Sequence, residues 1–242
     1  MKDTREIVKI IKFIFFPRRC VFCARVIAPA VASCSPCAQS VARVDAPVCR
    51  LCGRGKDYCL CDKHKPFYSG LFSPFYYESS VRRCIHNFKF RDARSNAEFL
   101  ADKMVLAIEQ EQSQHFDIVV CVPLSKKSLR QRGYNQSALL AQRIAEKLNT
   151  PFSAKALVKI CETPAQHSVD ASMRRGNLVG AFEVPDPSLI NGAEVLLCDD
   201  VATTGSTLNE CAKMLMLAGA AGVWCVTAAV TRKHNNTPDT GR

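Results

Sequence analysis

Val195-Leu-Leu-Cys-Asp-Asp-Val-Ala-Thr-Thr-Gly-Ser-Thr207 is the stretch that decides the fold. Residues 195–198 are apolar at every position, the pattern of a strand buried on both faces of a parallel sheet. Asp199 and Asp200 stand at its carboxyl end, where open α/β sheets receive their ligands. Thr203, Thr204, Gly205, Ser206 and Thr207 then bring hydroxyls and closely spaced backbone N–H groups to the start of a helix expected over residues 207–217. The unpaired donors and positive dipole end of such a helix form a cup for a phosphate. Gly205 lets the main chain turn tightly and approach the anion. A helix cap alone needs one Thr or Asp and leaves the other groups without a role.

Working outward, residues 117–122 (Asp-Ile-Val-Val-Cys-Val) read as a second short buried strand, ended by Pro123. The basic segment Lys126-Lys-Ser-Leu-Arg-Gln-Arg-Gly-Tyr-Asn-Gln136 follows, then a helix over about residues 137–148 with Leu140, Ile144 and Leu148 toward the core. Lys126, Lys127, Arg130 and Arg132 give this segment the donors to bind an anion, and it follows a strand just as residues 199–207 do. Two such loops on neighbouring parallel strands would face each other across one cleft. Earlier, residues 71–77 are aromatic-rich and strand-like, and residues 81–90 carry Arg82, Arg83, His86 and Lys89, with Arg91 next. Leu100, Met104 and Ile108 are at helical spacing, and residues 223–230 complete the pattern as a strand. Strands alternating with helices predict an α/β fold, a mostly parallel sheet flanked by helices.

A different chemistry precedes this domain. Eight of the fourteen cysteines fall in tight pairs, Cys20-x-x-Cys23, Cys34-x-x-Cys37, Cys49-x-x-Cys52 and Cys59-x-Cys61. Closely spaced thiolates suit tetrahedral Zn²⁺. Two four-cysteine sites follow, Cys20, Cys23, Cys34 and Cys37 in one and Cys49, Cys52, Cys59 and Cys61 in the other, with an interleaved cross-brace as the alternative. With every position filled by sulfur, neither site leaves an opening for catalysis, so zinc is expected to be structural. Redox chemistry of the C-x-x-C type needs one pair near a thioredoxin-like pattern, not four in series. The segment is too short and polar to build its own core, and metal binding would supply on the order of 10–16 kcal/mol per site toward its folding. Cys84, Cys121, Cys161, Cys198, Cys211 and Cys225 are scattered, several in apolar company, and read as small buried hydrophobes. The organisation expected is a zinc module over residues 1–65 and an α/β domain over residues 66–242.

The chain has 242 residues, 48% hydrophobic and 23% charged, with 33 Lys and Arg against 22 Asp and Glu for a net charge of +11. Residues 1–65 carry +8 of that excess. A Zn²⁺ bound by four thiolates has a net charge of about −2, so two loaded sites moderate the excess without abolishing it. Such a balance favours anionic partners and does not choose among a polyphosphate sugar, nucleic acid and an acidic membrane surface. The apolar stretch at residues 10–16 contains Lys12 and ends in Pro17-Arg18-Arg19, unlike a secretory signal. No run approaches the roughly 20 apolar residues of a spanning helix. A cytoplasmic protein with reduced thiols is expected. Residues 6–16 are expected to pack against the zinc module or the main domain, with an amphipathic membrane-surface helix as the alternative.

The 195–207 stretch resembles the phosphoribosyl-pyrophosphate (PRPP) loop of type I phosphoribosyltransferases. The resemblance implies that Asp199 and Asp200 hold the ribose 2- and 3-hydroxyls and that residues Val201, Ala202, Thr203, Thr204, Gly205, Ser206 and Thr207 form the loop around the 5-phosphate. Val122-Pro-Leu-Ser-Lys-Lys followed by Arg130-x-Arg-Gly-Tyr-Asn-Gln136 narrows the likeness to the ComF family, also described as ComFC or GntX-like proteins. Lys89 in Ile85-His-x-x-Lys, Thr163-x-x-Gln166, Arg174-x-x-Asn177 and Gly180-Ala-Phe182 also match, and the cysteine block resembles that family's double zinc ribbon. Lys159 stands where an Arg is common, and Cys198 replaces the usual aliphatic residue before the Asp pair. Neither removes a group needed for PRPP.

The resemblance implies PRPP with Mg²⁺ as ligand and cofactor, and a displacement at the ribose anomeric carbon if the protein is catalytic. Lys89, Lys126, Lys127, Arg130, Arg132, Gln166 and Arg174 are the candidates to touch pyrophosphate or acceptor. Residues 160–177 correspond to a loop that closes over the reacting centre in phosphoribosyltransferases, and Arg175 also lies there. His167 has the chemistry of a proton acceptor, although a surface histidine is the plainer reading. The family's association with competence implies a role in DNA uptake or utilisation, with single-stranded DNA or DNA-processing proteins as partners. The alternative to an enzyme is a PRPP-sensing, DNA-binding or protein-docking module. Phe22, Tyr58, Phe67 and Tyr68 are the few aromatics of the ribbon available for base stacking.

Overall fold

The computed structural model describes residues 17–59, 61, 65–90, 94–110, 114–160 and 180–232. Residues 6–16, Arg91, Cys161, Thr163, Gln166, His167, Arg174, Arg175 and Asn177, all singled out above, lie outside the described residues. In chain order the elements are α1 (Ser35–Gln39), β1 (Gly70–Phe72), β2 (Phe75–Tyr76), α2 (Ser79–Phe90), α3 (Asn96–Glu109), β3 (Ile118–Cys121) and α4 (Lys126–Arg132). They continue with α5 (Gln136–Leu148), β4 (Phe152–Ser153), β5 (Val158–Lys159), β6 (Phe182–Glu183), β7 (Glu194–Ala202), α6 (Ser206–Leu217) and β8 (Gly222–Val230).

The main sheet has the order β1-β8-β7-β3-β4, with β2 also paired to β8, and every pairing in it is parallel. Residues 195–198 of β7 and most of β8 are apolar because both faces are covered. Val119, Cys121, Leu196, Cys198, Trp224 and Val226 share one core with α2, α3 and α5. The alternate residues Val120, Val195, Leu197, Val223 and Cys225 share another with Leu208, Cys211 and Leu215 of α6. Period-2 alternation along each strand sends successive side chains to these two cores. A doubly covered parallel sheet is thus the architecture, as expected from the strand and helix pattern.

Three local departures have physical causes. The strand expected over residues 71–77 is broken into β1 and β2, which lie in succession along β8. Pro74 falls between them, and without an N–H it cannot extend a hydrogen-bonded ladder. The antiparallel pair β5–β6 had too few residues per strand to show periodicity. The basic segment is the short helix α4, started by Ser125 Oγ accepting from the Ser128 N–H at 3.2 Å and closed by Gly133 at φ 76°. Gly133, Tyr134 and Asn135 then turn the chain into α5, whose Asn135 side chain caps the Ser137 N–H at 3.0 Å.

The cysteine-rich segment packs onto the sheet. Cys20, Val21, Phe22 and Cys37 are buried in the same core as α2 and α3. On the β1 edge Gly70 is required, since a Cβ there would come 2.5 Å from the Trp224 ring.

Candidate functional site

β7 carries the Asp pair past the point where its ligand-facing end was expected. It runs to Ala202, held by Asp199, Val201 and Ala202 paired with Thr227, Ala229 and Val230 of β8. Val201 and Ala202 are therefore strand residues, and the loop proper is Thr203, Thr204 and Gly205 ahead of α6. Gly205 has φ 77°, and α6 begins with no side-chain cap. Its first-turn N–H groups are left to be satisfied from outside the helix. Thr204 and Ser206 share a hydroxyl–hydroxyl bond of 2.8 Å, and Thr204 Oγ1 accepts from the Ser206 N–H at 3.3 Å. The result is a hydroxyl-lined helix end, with no side chain on its N-cap Gly205, next to two carboxylates.

The two carboxylates have different surroundings. Asp200 is buried and ion-paired with the Lys89 ammonium, which arrives from the last turn of α2. Burial draws the Lys89 pKa down, but the charge and hydrogen bond of Asp200, with Asp199 behind it, outweigh this and leave it above its ordinary value. Asp199 is half-buried, and among the described residues no cation is ion-paired with it. Its Oδ1 accepts from Ser137 Oγ and from the Asp200 N–H, both at 2.8 Å. Burial, then the charge of Asp200, push Asp199 up to about 7, against the opposing pull of Ser137 and Lys89.

β3 lies beside β7 in register, Cys121 against Cys198, and the Val122 N–H continues the ladder to the Cys198 carbonyl at 2.9 Å. The basic segment therefore leaves the sheet at the same end as the Asp pair. Lys126, Lys127 and Arg130 are exposed, and Arg132 stacks over the Phe90 ring at 5.0 Å. The structure thus brings together Lys89, Asp199, Asp200 and the 203–207 loop, with α4 rising from the adjoining strand. Gln166 and Arg174 fall outside the described residues.

The cysteines form two sequential tetrads, Cys20/Cys23/Cys34/Cys37 and Cys49/Cys52/Cys59/Cys61, with all sulfurs of each within 4.8 Å of one another. The cross-braced alternative is not formed. Cys23–Cys34, Cys49–Cys61 and Cys52–Cys59 sulfurs are 3.7, 3.4 and 3.8 Å apart. A tetrahedral site with Zn–S bonds of about 2.3 Å has edges of about 3.8 Å, so both tetrads fit zinc. Burial raises the Cys20 thiol, but N–H groups of Cys23, Cys34 and Phe22 turned on the sulfur bring it down to about 7. Burial and neighbouring sulfurs push Cys37 up to about 12. Cys84, Cys121, Cys198, Cys211 and Cys225 are buried thiols in the core, as expected of small hydrophobes.

Two residues were not foreseen. Ser137 sits in the Asn135-Gln-Ser137 run, where its cap neighbour was visible but its partner on β7 was not. Arg54 follows the Cys49-x-x-Cys52 pair, and an arginine inside a metal knuckle was the only available signal. It is buried, and its guanidinium donates to the carbonyls of Cys52, Thr203 and Thr231.

Residues 11–73 match the double zinc ribbon domain, and residues 94–240 match the phosphoribosyl transferase domain. The chain belongs to the phosphoribosyltransferase-domain proteins that carry a double zinc ribbon. Within that class it falls with the ComF-type proteins. It is 32% identical over 213 residues to DNA utilization protein YhgH of Salmonella typhimurium, covering 86% of this chain and 88% of that one. Competence protein F of Haemophilus influenzae is 30% identical over 216 residues, 85% of this chain and 93% of that one. Competence protein ComFC of Bacillus subtilis is 25% identical over 199 residues, 78% of this chain and 79% of that one. Among solved structures, an adenine phosphoribosyltransferase from Thermoanaerobacter pseudethanolicus aligns with a TM-score of 0.37 at 13% identity, over 59% of this chain and 83% of its own. The assignment rests on the family matches and the relatives.

Proposed function

We propose that this protein binds PRPP at the carboxyl end of β7 and acts there as a phosphoribosyltransferase-type site in the use of DNA. The observation that carries the reading is the adjacency, at one strand end, of the Asp199–Asp200 pair and the hydroxyl-lined start of α6 behind Gly205. A phosphate on the 203–207 loop would place a sugar beside the carboxylates, which accept hydrogen bonds from its hydroxyls. Their negative charge would favour the positive charge that develops on the ribose as pyrophosphate leaves. Lys126, Lys127, Arg130 and Arg132, rising from the neighbouring strand end, are assigned to the pyrophosphate.

Mg²⁺ fits the donor set. Asp199 and Asp200 offer oxygen ligands only, and Asp200 already attracts a cation in Lys89. When bound with PRPP, the ion would offset pyrophosphate charge. This chain's own part is to hold the ribose on the Asp pair and the phosphate on α6. The transfer acceptor carries no assignment.

The names of the relatives favour a second reading, in which PRPP is sensed and single-stranded DNA is bound without transfer. A groove of about 430 Å³ between the ribbon and the β1 edge supports it, with Arg43, Arg50 and Lys103 on its walls. No helix of the described residues is long and apolar enough to cross a membrane. Zinc requires all eight thiolates to stay reduced, which favours a cytoplasmic setting.

Calorimetric titration of the zinc-loaded protein with PRPP and Mg²⁺, with and without single-stranded DNA, tests both readings. Micromolar PRPP binding supports the site, and pyrophosphate release with an added acceptor supports transfer. Binding altered by DNA, with no release, supports the second reading. Absence of PRPP binding would refute both.

A further inference from the structure

Arg54 belongs to the second cysteine tetrad by its backbone and to the 203–207 loop by its side chain. Its carbonyl accepts from the Cys49 N–H at 2.6 Å, within the turn that presents Cys49 and Cys52. Its Nη1 donates to the Cys52 carbonyl at 3.1 Å, closing the side chain onto the same turn. Nη2 donates to the Thr203 carbonyl at 2.8 Å and Nε to the Thr231 carbonyl at 2.6 Å. Arg54 is only 4% exposed, and among the described residues its partners are these three main-chain carbonyls. A buried guanidinium with five donors in a fixed fork sets the positions of the acceptors around it.

Thr203 is held twice. Its carbonyl also accepts from Thr231 Oγ1 at 3.1 Å, and the Thr231 N–H donates to the Ala202 carbonyl at 3.1 Å. The Thr203–Thr204 peptide is trans, so its N–H points opposite to its carbonyl. Fixing the Thr203 oxygen on Arg54 therefore aims the Thr204 N–H away from the ribbon. The chain just beyond the tetrad reinforces the contact. The Phe67 N–H donates to Asn209 Oδ1 of α6 at 2.8 Å, and the Tyr68 hydroxyl lies 3.3 Å from where a Cβ on Gly205 would stand.

We propose that Arg54 is a positioning residue for the 203–207 loop, through which the second tetrad, and not the first, sets the geometry of the anion-binding turn. The proposal rests on the PRPP reading for its ligand but not for its geometry. Zinc in the second tetrad fixes the Cys49–Cys52 turn, the turn fixes Arg54, and Arg54 fixes the Thr203 peptide. The first tetrad makes its core contacts with α2 and α3 instead.

Hydrogen exchange on the full-length, zinc-loaded protein, paired with PRPP calorimetry, tests this. Arg54→Met should speed exchange of the 203–207 amides and weaken PRPP binding by on the order of tenfold each, the loss expected when buried acceptors lose a charged donor. Amides of α5 should keep their protection. Arg54→Lys, which keeps the charge and part of the donor set, should recover part of both. Arg18→Met removes an arginine of the first tetrad region, where Nη1 donates to the Pro29 carbonyl, and should change neither. Unchanged exchange at 203–207 in Arg54→Met would overturn the proposal. So would faster exchange spread equally over α5 and the sheet, which would make Arg54 a general stabiliser. If Arg54→Met does not fold, Arg54→Lys decides by the same two criteria. If the wild type binds no PRPP, the ligand reading fails while the exchange pattern still decides the role of Arg54.

Discussion

Ser137 Oγ donates to Asp199 Oδ1 across 2.8 Å, joining the first turn of α5 to the strand end 62 residues further along the chain. This bond is the main local support for a charge on Asp199, whose burial and acidic neighbour hold its pKa near 7. The site's affinity for cations and sugar hydroxyls is thereby tied to the proton on one carboxyl.

PRPP affinity in the presence of Mg²⁺ should rise with pH through about 7, because the Asp199 proton must leave before the carboxylate can accept from hydroxyls or meet a cation. Ser137→Ala should move the midpoint up by about one unit, from the loss of a hydrogen bond to a charged group. Calorimetry from pH 5.5 to 8.5 checks both. A flat profile in the wild type would contradict the assignment.

Stability without ligand should run the other way. Between the ordinary value of 3.8 and about 7, native Asp199 keeps a proton that the unfolded chain releases. Its contribution to stability therefore falls as pH rises through that window. Thermal melts of Asp199→Asn should show a smaller decline from pH 5 to pH 7 than those of the wild type.

Asp199→Asn combined with Asp200→Asn should abolish PRPP binding while leaving the fold and the metal content intact. Circular dichroism, metal analysis and calorimetry on one preparation test this, and retained PRPP affinity would refute the site.

Lys89→Met should strand the buried Asp200 carboxylate and cost about 3–5 kcal/mol at neutral pH. Urea denaturation of the variant beside the wild type checks this, and an unchanged midpoint would contradict the buried pair.

Gly205→Ala should lower stability by about 1–2 kcal/mol, since a side chain at φ 77° is strained. The new methyl would also press on the Tyr68 hydroxyl at 3.3 Å. PRPP affinity should drop with it, which calorimetry beside urea denaturation would show.

Features with a local cause were legible from the residues. The apolar run, the two acids and the hydroxyl loop marked β7 and the start of α6, and paired cysteines marked both tetrads. Segments shorter than a period were not: β5 and β6 have two residues each, and α4 was hidden in a run read for its charge. What makes the site a site was not legible either. Lys89 was picked by residue type, but its pairing with Asp200 joins α2 to β7. Arg54 reaches Thr231 across 177 positions, and no spacing rule spans that distance.

The strand order has a consequence for biosynthesis. β7 stands at the centre of the sheet with β8 between it and β1, yet these two are the last strands in the sequence. A ribosome that has released everything up to β6 has made β1, β2, β3 and β4 without the strands that join the two edges. Sheet closure therefore waits on the final fifth of the chain, as expected of a fold dominated by distant pairings. Until then the nascent polypeptide can complete its cysteine tetrads and has α2 and α3 but not the finished sheet beneath them, so metal capture can precede assembly of the ligand cleft during translation.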